Sequence, residues 1–221
     1  MSYYDRALEM KDELVANRRY LHENAEVGLT LPKTRAFIEE KLREYGIEPQ
    51  RCGEGVTGLI GKGGKVLLLR ADMDALAMSE ESGLPFASKD PKAAHCCGHD
   101  MHATMLLGAA KMLKEHESEL KGTIKLMFQP GEECLNGSLN MLEHGILENP
   151  KVDAALAYHV GPGQLPIGMF MYNDNSTMMF SNNSLKIKVK GKGGHGALPQ
   201  NCIDPISCLL YTSDAADDSL R

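Results

Sequence analysis

The chain has 221 residues, 43% of them hydrophobic and 24% charged, which suits a soluble globular protein of one domain plus part of a second. A formal charge of −6 and the absence of Trp argue against nucleic-acid binding, which needs clustered Lys and Arg beside stacking aromatics. No apolar run approaches a membrane span, and Met1 to Arg19 lacks the apolar core of a secretory signal. Six irregularly spaced cysteines in such a chain read as reduced thiols, so a cytoplasmic location is expected.

In chain order, Ala7, Met10, Leu14 and Leu21 share one helical face, and Ile38, Leu42 and Tyr45 share another before the stop at Gly46. Val56–Ile60 and Lys65–Arg70 read as short strands around the turn Gly61-Lys62-Gly63-Gly64. Ala103–Leu113 reads as a helix, with Met105, Ala109, Met112 and Leu113 on one side. Gly122–Gln129 is an apolar strand, Leu139, Leu142 and Ile146 mark a helix, and Val152–Tyr158 is a further buried strand. This alternation predicts an α/β fold, a mostly parallel sheet flanked by helices.

The catalytic, metal-binding portion is expected over residues 1–180. A turn-rich stretch sets a domain boundary near Ser181, after which residues 181–207 begin an inserted α+β lid or dimerisation domain. Leu185–Val189 alternates like a half-exposed strand, and Asp204-Pro205 has the form of a helix cap. The amphipathic helix that should follow is not visible in Ser213–Ser219.

Chemistry concentrates in His95-Cys96-Cys97-Gly98-His99-Asp100-Met101-His102, three imidazoles and two thiols on a loop feeding the helix over Ala103–Leu113. Thiolate and imidazole are ligands for Zn²⁺ and its neighbours. Asp72 and Asp74, Glu132 and Glu133, and His159 each follow a predicted strand, at the sheet edge where open α/β sheets bind ligands. Adjacent carboxylates diverge, so one glutamate can bind metal while the other acts as a base. His195 sits in the glycine-rich Gly191–Gly196. His22, His116 and His144 read as surface residues. A Cys97 nucleophile with His99 or His102 as base is an alternative, although it gives the two glutamates no role.

These motifs resemble the metal-dependent amidohydrolase branch of the aminoacylase and zinc-exopeptidase superfamily, which includes hippurate hydrolases and N-acyl-amino-acid amidohydrolases. Five segments carry the likeness in order: Arg70–Leu76, His95–His102, Gln129–Glu133, Tyr158-His159-Val160 and Gly191–Gly196. The resemblance implies Cys97, His99, Glu133 and His159 as ligands of two divalent ions, whether Zn, Mn or Co. It implies Glu132 as general base, Asp74 as a supporting carboxylate, and His195 as a lid residue holding the substrate carbonyl or its oxyanion. The implied substrate is an N-acyl amino acid, and the implied assembly is a homodimer through the lid. Ala77, Cys96, Cys134 and Leu135 depart from the family pattern. Residues 208–221 do not resemble it and read as a foreign tail on a truncated gene, with a further His ligand expected beyond. A fragment that only binds metal is the non-catalytic alternative.

Overall fold

The computed structural model describes residues 2–161, 163, 166–172 and 185–218, without the side chains of 212–218. The chain divides into two compact units, Met1–Leu165 and Pro166–Arg221. The boundary expected at Ser181 lies outside the described residues.

In chain order the first unit comprises α1 (Tyr3–Glu9), α2 (Lys11–Glu23), α3 (Pro32–Glu44), β1 (Gln50–Cys52), β2 (Gly55–Gly61), β3 (Val66–Asp72), α4 (His99–Glu115), β4 (Thr123–Gln129), α5 (Gly137–Glu143) and β5 (Ala154–Ala157). Local chemistry sets the helix ends. Ser2 and Asp5 form a capping box at α1. Pro32 occupies the first turn of α3, where the Glu26 carboxylate accepts from the N–H groups of Lys33 (3.2 Å) and Thr34 (2.9 Å).

The five strands form one sheet ordered β1-β2-β4-β3-β5. β2 and β3 flank the glycine turn yet do not pair, because β4 lies between them, antiparallel to β2 and parallel to β3. β5 is parallel to β3. The α/β arrangement is as predicted, and the sheet is mixed. Its three parallel strands β3, β4 and β5 end together, so the segments after Asp72, Gln129 and Ala157 converge at one edge.

Side chains alternate across the strands. On one face Val56, Ile60, Ala71, Leu126 and Phe128 pack against Leu21, Ile38, Leu42, Ala103, Leu107 and Ala110 of α2, α3 and α4. On the other, Cys52, Leu68 and Met127 pack against Met141 and Ile146. Each fully buried Leu, Ile or Phe contributes about 1.5–3 kcal/mol. Lys125 is also buried on this second face, and its Nζ donates to the Glu148 carbonyl at 2.6 Å.

Several expectations are corrected. α4 buries Ala103, Leu106, Leu107 and Ala110, while Met105 is 44% exposed. α5 turns Met141 inward, leaving Leu139 and Leu142 in solvent. Both helices carry apolar residues on more than one face, so spacing alone does not select the buried one. β5 is exposed throughout, since among the described residues it pairs with β3 alone and nothing covers it. In the second unit Leu185–Lys190 forms no strand and is exposed, because an alternating segment needs a partner strand. A helix, α6, does run Pro205–Asp218, started by Asp204, whose carboxylate accepts from Ile206 N–H at 3.0 Å. None of the helices described is long and apolar enough to cross a membrane.

Candidate metal centre

Three segments meet at the carboxyl edge. Asp72 ends β3 and Asp74 follows it. Glu132 and Glu133 lie in the turn between β4 and α5, and His159 follows β5. The N-terminus of α4 brings His99 into the same space.

Glycine permits two of these approaches. Gly98 caps α4 with φ +88°, and a Cβ there would stand 2.4 Å from Val160 Cγ2. Gly137 opens α5 so close beneath the Glu132-Glu133 turn that a Cβ would fall 1.5 Å from the Pro130 carbonyl oxygen.

His99 is common to every cluster of potential ligands among the described residues: with Cys97 and His159, with Glu132 and Glu133, and with Asp72 and His102. Within each cluster the donor atoms lie within 4.8 Å of one another. The His99 Nδ1–H donates to the Asp74 carbonyl at 2.9 Å, which leaves Nε2 facing the cluster. That Nε2 and Glu133 Oε1 are both buried without hydrogen-bond partners, 3.8 Å apart. Cys97 Sγ lies 3.4 Å from His159 Nε2, and His159 Nδ1–H donates to the Val160 carbonyl at 2.8 Å. Both imidazoles therefore turn one nitrogen to a backbone oxygen and the other toward the remaining donors.

His102 is different. Its Nδ1–H donates to Asp72 Oδ1 at 2.5 Å and its Nε2 accepts from Val160 N–H at 2.9 Å, so both nitrogens are already used. It ties β3 to the segment carrying His159, a role the sequence reading did not assign.

Four carboxylates crowd this space, and they shape its titration. Burial, together with Glu133, Glu132 and Asp72, pushes the Cys97 thiol up to about 12. Burial opposes charge on His99, yet Asp74, Asp72 and Glu133 raise its pKa above the ordinary value. Asp72 stays below the usual carboxylate range against its burial, because His102 and Arg70 favour its charge. A reactive cysteine needs cationic neighbours, so this surround opposes the Cys97 nucleophile reading. The mixed S, N and O donors with two orphaned buried ligand atoms fit a divalent ion such as Zn²⁺, Mn²⁺ or Co²⁺.

Residues 68–202 match peptidase family M20/M25/M40. The chain belongs to that family. It is 45% identical over 198 residues to the Arabidopsis thaliana IAA-amino acid hydrolase ILR1-like 4, covering 88% of this chain and 44% of that protein. It is 39% identical to the Bacillus subtilis N-acetyl-L-cysteine deacetylase, covering 89% and 47%, and 38% identical to the Campylobacter jejuni hippurate hydrolase, covering 93% and 54%. The crystal structure of Bacillus subtilis YXEP, described as a dinuclear metal-binding peptidase of the M20 family, superposes with a TM-score of 0.67 at 38% identity. That match covers 71% of this chain and 45% of YXEP. The chain thus spans about half the length of the curated relatives it matches, and it is of a hydrolase family.

The remaining predicted residue, His195, lies in the second unit. It is exposed, and its Nδ1 accepts from Ala197 N–H at 3.2 Å. His22, read as a surface residue, is only 6% exposed.

Proposed function

We propose that this chain carries the metal centre of an amidohydrolase acting on N-acyl amino acids, with Cys97, His99, Glu133 and His159 holding up to two divalent ions. The observation that carries the reading is the buried, partnerless pair His99 Nε2 and Glu133 Oε1, 3.8 Å apart beside Cys97 and His159. The names of the relatives supply the substrate class: hippurate hydrolase, N-acetyl-L-cysteine deacetylase and IAA-amino acid hydrolase.

A divalent ion bound here supplies a strong nucleophile at neutral pH and polarises the scissile carbonyl. The chain's own groups do the rest. Glu132, partly exposed and 4.0 Å from His99 Nε2, takes a proton from the attacking water and returns it to the departing amine. Water oxygen bonds to the acyl carbon, the C–N bond breaks, and the amino acid leaves. Asp74 accepts from the N–H groups of both glutamates and so fixes their backbone. The family resemblance alone assigns His195 to the substrate carbonyl or its oxyanion, where a donor stabilises developing negative charge. Homodimerisation through the second unit belongs to the same proposal.

The test is hydrolysis of N-benzoylglycine, N-acetylcysteine and an indole-acetyl amino acid by the purified chain, with each metal and after exhaustive chelation. Metal-dependent release of the amino acid, lost in Glu132→Gln, is expected. Release that survives chelation would refute the metal mechanism. Metal binding with no hydrolysis of any of the three would refute the hydrolytic reading for these residues.

A further inference from the structure

The segment from Ala77 to Cys97 contains no helix or strand, yet it must deliver the thiol of Cys97 to its place. Its backbone is held at its base by paired hydrogen bonds between Leu76 and Ala94 (3.0 and 3.1 Å) and in mid-course by Lys89 N–H to the Glu23 carbonyl (2.9 Å). Between these ties stands His22, near the end of α2. Its Nδ1–H donates to Asp100 Oδ2 at 2.7 Å, and its Nε2–H donates to Glu80 Oε1 at 3.1 Å. Asp100 follows His99 in α4, and Glu80 belongs to the segment leading to Cys97.

We infer that His22 is a positioning residue for the metal centre, bridging the segment that carries Cys97 to the helix that carries His99. The inference rests on the metal-site reading above.

Both partners are carboxylates, which only accept and so favour a ring that donates from both nitrogens, against the Arg18 guanidinium, whose Nη2 lies 3.4 Å from Nδ1. The joint is reinforced on each side. Arg18 Nε pairs with the same Asp100 oxygen at 2.7 Å. Glu80 also accepts from Ser88 N–H at 2.7 Å and from the Ser82 hydroxyl, locking the loop around it. Phe86, from the same segment, packs edge-on to the His22 ring with centroids 5.7 Å apart and lies beneath the guanidinium groups of Arg18 and Arg19. The neighbouring His95 has both ring nitrogens buried without hydrogen-bond partners, its ring centroid 6.2 Å from that of His22.

Partners that orient metal ligands typically set affinity by about 10- to 100-fold. Cobalt titration of the metal-free chain, followed by its visible ligand-field bands and the thiolate-to-cobalt charge-transfer band, reads ligand placement directly. His22→Gln is expected to weaken cobalt binding by about 10- to 100-fold and to alter both sets of bands. Glu80→Gln, which cuts one arm and leaves the imidazole, is expected to alter the bands in the same direction and serves if His22→Gln does not fold. Lys125→Met, a destabilising change on the opposite face of the sheet, should leave affinity and spectrum unchanged. Wild-type affinity and bands in both His22→Gln and Glu80→Gln overturn the role of His22 alone. Absence of a charge-transfer band in the wild-type chain overturns the metal-site reading beneath it.

Discussion

The carboxylate of Asp74 accepts the backbone N–H of Glu132 at 3.0 Å and that of Glu133 at 3.1 Å. One side chain beyond β3 thereby sets the turn beyond β4, and its own carbonyl orients His99. Two parallel strands are joined at their ends by the group that also aims a candidate ligand.

Asp74→Asn keeps one acceptor of the two and puts an amide N–H against a backbone donor. It is expected to weaken zinc binding by about 10- to 100-fold, measured by equilibrium dialysis against a competing chelator. Unchanged affinity would mean that the turn holds itself.

The two glutamates should separate cleanly. Glu133→Gln is expected to lower bound metal, because Oε1 is the buried partnerless atom. Glu132→Gln should retain metal and lose about 10²- to 10⁴-fold in turnover. Metal analysis beside the hydrolysis assay decides, and the reverse pattern exchanges the two roles.

Gly137→Ala places a methyl carbon 1.5 Å from the Pro130 carbonyl oxygen, a backbone atom with no rotamer to escape into. Destabilisation of about 3 kcal/mol or more is expected, with loss of metal as the glutamate turn shifts. Gly193→Ala, where nothing lies within 4 Å of the new carbon, should fall within about 0.5 kcal/mol of wild type. Equal melting shifts in the two would contradict the close packing of α5.

Stability should report the charge on His22. It faces Asp100 on α4, Glu80 on the loop, Arg18 on its own helix and His95. Asp100 raises its pKa above 6.5 against the burial that lowers it, with help from Glu80. A raised folded pKa means the contribution is complete below about 6.5 and is lost as pH rises through the folded value. Glu80, held down to about 2, keeps its side of the pair charged well into acid. The melting deficit of His22→Gln against wild type should therefore be largest near pH 6 and shrink on alkaline titration. A deficit constant from about pH 6 to 10 would show that His22 contributes packing alone.

The sheet edge was legible because strand ends are marked locally: Leu67-Leu68-Leu69 before Asp72, Met127-Phe128 before Glu132. The helix expected over Ala103–Leu113 in fact begins at His99, because Gly98 with its positive φ lets the chain turn into α4 before the apolar run begins. The faces of α4 and α5 were not legible, since apolar residues surround both and only the sheet decides which are buried. His22 was misread because its partners stand 58 and 78 positions away, and no local pattern announces a buried imidazole. Leu185–Val189 shows the converse failure, a local strand pattern without a neighbour among the described residues.

The central claim is that Cys97, His99, Glu133 and His159 bind a divalent ion together. X-ray absorption at the zinc edge of the zinc-loaded chain tests it most directly. A single sulfur at about 2.3 Å with nitrogen and oxygen near 2.0–2.1 Å is expected, and the sulfur shell should vanish in Cys97→Ala. A zinc environment without sulfur in the wild-type chain would contradict the account.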